Sequence, residues 1–127
     1  MSFTLHDLGS DNFEFSSNVW SWKAALEIIK SVDIISEGKI RQMSYNGTGV
    51  KVDVEDAHAI GEAIRAKILP KIPEQSRMFA DLRITDEPDD MTLHRDGDEQ
   101  WKNYSVTRDW LKEFSEFCLR SKGFQIF

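Results

Sequence analysis

Between Asp81 and Glu99 the chain gathers eight carboxylates (Asp81, Asp86, Glu87, Asp89, Asp90, Asp96, Asp98 and Glu99) around one imidazole, His94, and two guanidinium groups, Arg83 and Arg95. Carboxylates with an imidazole can ligate a divalent ion. The spacing fits no standard loop, because with Gly97 at the sixth position of a calcium loop the first ligand would be Thr92 and the third His94. The same residues form a negative surface whose chemistry is attraction of a basic macromolecule. This segment carries a net charge of −6, equal to that of the whole chain, so the rest of the sequence is balanced. We therefore expect Asp86, Glu87, Asp89, Asp90, Asp96, Asp98 and Glu99 to form a partner-binding surface, and a basic stripe for nucleic acid is absent.

Cys118 is the only thiol. Paired with a histidine it would be a nucleophile, but it falls in an aromatic helical stripe, where a thiol is buried and inert. His58 lies on the wet side of its expected helix, and His6 sits near the start of the chain. Gly47-Thr48-Gly49 lacks the third glycine of a dinucleotide fingerprint and reads as a turn, and neither a G-x-S-x-G elbow nor an H-E-x-x-H pair occurs. Trp101 and Tyr104, which follow the acidic run without helical spacing, read as core anchors rather than an exposed hot spot. No catalytic residue, metal ligand or cofactor is assigned.

The elements that must position these groups follow from length and periodicity. A chain of 127 residues fits one domain, and its 4 Trp, 8 Phe and 2 Tyr supply a core. There is no apolar run of membrane-spanning length, no secretory pattern in residues 1–10, and no second cysteine for a disulfide. These features point to the cytoplasm and a reduced thiol.

Phe3-Thr4-Leu5 and Phe13-Glu14-Phe15 alternate and suggest a hairpin. Ser16, Ser17 or Asn18 caps a helix over residues 19–32, with Trp22, Ala25, Leu26, Ile29 and Val32 on one stripe. Asn46-Gly47 is a strong type I′ turn signal, and a two-residue loop would pair Tyr45 with Thr48 and Met43 with Val50. Asp53 caps a helix over residues 54–69, striped by Ala57, Ile60, Ile64 and Ile68 and stopped by Pro70. Residues 70–103 read as irregular, apart from a strand-like or short helical stretch at 78–84. The last helix opens at Ser105 or Thr107, places Trp110, Phe114, Phe117 and Cys118 inward, stops at Gly123 and gives way to an alternating strand at 124–127.

Three segments together resemble a loose group of small uncharacterised bacterial proteins. They are Val19-Trp20-Ser21-Trp22 with its Ala-Leu helix, Tyr45-Asn46-Gly47 followed by Val52 and Asp56-Ala57, and Phe114-Ser115-Glu116-Phe117-Cys118 through Gly123-Phe124-Gln125-Ile126. The resemblance covers about half the chain and omits residues 70–103. It implies a small bacterial cytoplasmic domain and transfers no catalytic residue.

The expected architecture is a single α+β domain over residues 1–127, with three helices on a small, mainly antiparallel sheet and an irregular acidic segment at 81–99. The expected function is a non-catalytic, immunity-like or inhibitor-like binding protein, monomeric or a small homo-oligomer, that meets a basic protein partner and neither nucleic acid nor membrane. The alternative is a small hydrolase or metal-dependent enzyme using His94 and nearby carboxylates.

Overall fold

Each α-helix begins where a short polar side chain can satisfy an amide left free by the first turn. In the computed structural model, which describes residues 2–10, 12–45, 49–87 and 93–127, Asn18 accepts from the Ser21 amide at 2.8 Å and starts α1 (Val19–Ser31). Ser36 accepts from Lys39 and starts α2 (Glu37–Met43). Asp53 accepts from Asp56 at 2.8 Å and starts α3 (Val54–Ala63), and Thr107 accepts from Trp110 at 3.0 Å and starts α4 (Arg108–Arg120). All four are N-cap bonds to the third helical residue.

The strands form two antiparallel sheets. In the first, β1 (Ser2–Asp7) lies between β2 (Glu14–Asn18) and β7 (Phe124–Ile126), and β7 lies between β1 and β3 (Lys51–Val52). The expected first hairpin is present, with Leu5 opposite Phe15. In the second sheet β4 (Arg77–Phe79) is central, between β5 (Ile84–Thr85) and β6 (Ser105–Thr107). Thus the described residues form an α+β fold with four α-helices and two sheets, where the sequence suggests three helices and one sheet.

The largest departure lies at residues 37–45 and 49–52. Met43 ends a helix instead of pairing with Val50 in a hairpin, and β3 takes β7 as its partner, with Val52 opposite Phe124. The apolar residues Ile40 and Met43 are three apart, which suits a helix, and both are buried. The Trp22 indole donates to the Met43 carbonyl at 2.9 Å and secures the helix end to α1. Tyr45 is exposed rather than sharing a face with Met43. Asn46, Gly47 and Thr48, with the turn expected there, lie outside the described residues.

Two stops also differ from expectation. Helical structure continues past Ala63 through a π turn (Ile64–Ile68) and a 3₁₀ turn (Leu69–Lys71) that contains Pro70. Proline is tolerated there because the first amides of a helical turn have no acceptor within it. Gly123 does not follow the helix cap directly, since Ser121 is the C-cap of α4. Its φ of +90° and a close approach to the Val52 carbonyl, 2.8 Å from where a Cβ would stand, make it the hinge that delivers β7 into the sheet.

One contiguous core contains the stripes expected from the sequence: Trp22, Leu26, Ile29, Ile60, Ile64, Phe114 and Phe117 are all buried in it. Phe114 is at its centre. Its ring meets Trp22 edge-on at 5.6 Å between centroids and packs against Phe15 at 5.5 Å and Trp110 at 5.2 Å. Helices α3 and α4 approach at Gly61, where an added Cβ would stand 2.9 Å from the Ser115 carbonyl oxygen and 2.8 Å from Leu119 Cγ.

Two expectations follow for denaturant titration. Phe114→Ala lowers stability by about 3–5 kcal/mol, through lost transfer energy and the cavity left behind. A loss under about 1 kcal/mol would show that α4 does not hold the core. Gly61→Ala removes a helix-interior glycine, a change worth up to about 1 kcal/mol of added stability by propensity. Here it destabilises by about 1–3 kcal/mol, because the backbone of α4 blocks the new methyl. A stability gain would show that the two helices part freely.

Candidate functional site

The acidic segment begins in the second sheet. Strands β4 and β5 are joined by a tight turn in which the Phe79 amide donates to the Arg83 carbonyl at 2.8 Å and the Leu82 amide to the Phe79 carbonyl at 2.9 Å. Asp81 Oδ1 accepts from the Arg83 amide at 3.1 Å, and its other oxygen pairs with Arg83 Nε at 3.1 Å. Leu82 takes a φ of +74° to close this turn, a strained conformation for a branched residue.

A ladder of cations and rings connects the two ends of the segment. Arg77 lies over Phe79 at 4.7 Å, Phe79 meets Trp101 edge-on at 5.0 Å, and Arg83 lies over Trp101 at 4.5 Å. Arg77 also donates through Nε to the Glu87 carbonyl and through Nη1 to Ser105 Oγ, both at 2.9 Å. Trp101 sits in a 3₁₀ turn (Gln100–Asn103), and its indole donates to the Asp98 carbonyl at 3.1 Å. The stack thus joins the residues just after β5 to those just before β6.

Asn103 completes the arrangement by gripping the backbone of His94. Its Oδ1 accepts from the His94 amide at 2.7 Å and its Nδ2 donates to the His94 carbonyl at 2.8 Å. Residues 94–103 are therefore closed into a loop with internal bonds, among them Glu99 N–H to the Asp96 carbonyl at 2.9 Å. The described part of the segment is structured where the sequence reads as irregular, because side chains from β4 and the 3₁₀ turn hold it.

On this base Asp86, Glu87, Asp96 and Asp98 are exposed, and among the described residues none of them makes an ion pair. Glu99 is different, because it is half-buried and pairs with Lys102 at 3.2 Å. Asp89 and Asp90 lie outside the described residues. Trp101 and Tyr104 are both half-buried: Trp101 carries the cation ladder, while Tyr104 packs on Trp20 at 5.3 Å with Lys23 over its ring at 4.4 Å.

For the metal alternative, no group of three or more His, Cys, Asp or Glu side chains among the described residues converges closely enough to hold an ion. Among the described residues the thiol has no hydrogen-bonded or ionic partner that could activate it. Cys118 is fully buried, and burial pushes its pKa well above the ordinary thiol value. Two of the three histidines contact other groups, His6 with Glu14 at 3.4 Å and His58 Nε2 at 3.2 Å from the Ser121 carbonyl. Among the described residues, no helix is long and apolar enough to cross a membrane.

The Cys118 environment gives a direct chemical test. A soluble thiol reagent at mildly alkaline pH reacts orders of magnitude more slowly with the native protein than with the unfolded chain, because the pocket excludes the reagent and disfavours thiolate. Fast native labelling would revive a nucleophilic thiol.

Comparison with protein-family models, curated proteins and solved structures finds no match to this chain.

Proposed function

We propose that this protein is a non-catalytic binding protein, immunity-like or inhibitor-like, that offers the acidic face of residues 81–99 to a basic protein partner. One observation carries the reading: Asp86, Glu87, Asp96 and Asp98 stand exposed without ion pairs among the described residues, beside Arg77, Arg83 and Lys102, whose cations are held by other groups. Arg77 is held by Phe79, Ser105 and the Glu87 backbone, Arg83 by Trp101 and Asp81, and Lys102 by Glu99. These contacts support the segment without neutralising its outer carboxylates. A partner that supplies lysine and arginine would gain both steering and contact energy there. The reading sets the protein in the bacterial cytoplasm, in line with its single thiol.

The test combines native capture with charge removal. A variant carrying D86N, E87Q, D96N and D98N keeps its thermal stability within about 0.5 kcal/mol, since exposed unpaired charges contribute little to folding. The partner captured by the wild type at low salt is basic. Its association with the variant slows by about tenfold or more, and salt near 0.5 M reduces the wild-type rate toward that of the variant, as expected for about 4 Å screening. A partner that binds both proteins alike at both salt concentrations would refute the electrostatic reading.

A further inference from the structure

The seam between helices α3 and α4 continues, beyond their close approach at Gly61, into a concave surface. A pocket of about 270 Å³ opens there, lined by Arg65 from the π turn and by Arg108 and Lys112 from α4, with Leu69 and Leu119 as its apolar wall. Among the described residues Glu116 is the single carboxylate in the lining, which leaves a net charge of +2. None of the three cations makes an ion pair among the described residues.

Three features of this pocket have no explanation in helix stability. Arg108 is the first residue of α4, at the end of the helix dipole that disfavours positive charge. Its Nε is buried and has no hydrogen-bond acceptor among the described residues, whereas buried donors are almost always satisfied by protein, water or ligand. Arg65 lies within a π turn, closed by the Leu69 amide donating to the Ile64 carbonyl. Such turns occur as single-turn bulges within helices and are frequent at functional sites. An unpaired cluster of like charges, an orphaned guanidinium donor and an irregular helix thus coincide at one pocket.

We propose that this pocket binds a small phosphomonoester, with the phosphate held by Arg65, Arg108 and Lys112 and the organic part against Leu69 and Leu119. Guanidinium forks and a lysine point charge complement a tetrahedral oxyanion. A phosphomonoester is close to a dianion above its second pKa of about 6, and so matches the lining charge. The cavity is larger than a phosphate group alone requires, and its apolar wall suits a short carbon skeleton. When the oxyanion is bound, the Arg108 guanidinium turns toward it, and Nε gains an acceptor that none of the described residues supplies. The site is independent of the acidic face, being built from other residues.

The test is calorimetric and thermal titration of the whole protein at pH 7.5 to 8 (roughly, above the second phosphate pKa) with inorganic phosphate and with glycerol phosphate, against chloride at equal ionic strength. Both phosphates raise the melting temperature saturably, and glycerol phosphate binds more tightly. R65Q and K112Q, at exposed positions that leave folding intact, each weaken binding about tenfold or more. R108Q abolishes it. If R108Q fails to fold, R65Q and K112Q still decide. No saturable shift beyond that of chloride, or unchanged affinity in both exposed-site variants, would overturn the proposal. Equal affinity for the two phosphates would overturn the placement of an organic group on the leucines.

Discussion

The close approach of α3 and α4 at Gly61 is the constraint on which much of the structure depends. Any side chain at this position would meet the backbone of α4 at Ser115 and the side chain of Leu119. Helix α4 follows β6 of one sheet directly and leads through Gly123 into β7 of the other. Placing α4 against α3 therefore places both sheets, and the aromatic face of α4 closes the core by packing Phe114 against Trp22, Phe15 and Trp110. Cys118 lies on the same contact, 3.1 Å from the position of a Gly61 Cβ, so its burial and its raised pKa follow from the helix pairing.

The charges are organised by contacts that carry little of the folding energy. Exposed ion pairs and cation–π stacks each contribute on the order of 1 kcal/mol or less. Their value here is positional: Arg77 and Arg83 hold the ends of the acidic segment through rings, a backbone carbonyl and Asp81, and leave the carboxylates of Asp86, Glu87, Asp96 and Asp98 facing water. At the α3–α4 seam the opposite sign collects, with Arg65, Arg108 and Lys112 around one pocket. A chain with a modest net charge thus has two surfaces of distinct sign. Electrostatic complementarity contributes most to partner choice and association rate, which suits both placements.

The elements most legible in the sequence are those whose burial repeats within a few residues. Trp110, Phe114, Phe117 and Cys118 at helical spacing, behind a threonine cap, mark α4 because neighbouring turns must face the same core. The same reasoning locates α1, α3 and the first hairpin. It misreads the described residues on either side of the expected turn, where Ile40 and Met43 fit a helix but Met43, Val50 and Val52 also fit an alternating pair of strands. The choice is made by the Trp22 indole on the Met43 carbonyl and by β7 pairing with β3, contacts from residues far along the chain.

For the candidate sites the division is similar. The sequence by itself determines that the net charge resides in residues 81–99 and that Cys118 sits in an apolar stripe, since both are properties of local composition and period. Only the tertiary structure decides which carboxylates remain unpaired, because that depends on Arg77 and Trp101 reaching the segment from β4 and from the turn before β6. It alone brings Arg65 beside Arg108 and Lys112. No local pattern records that meeting, because it arises from the packing of two helices at a glycine, and packing distance is a property of both surfaces together.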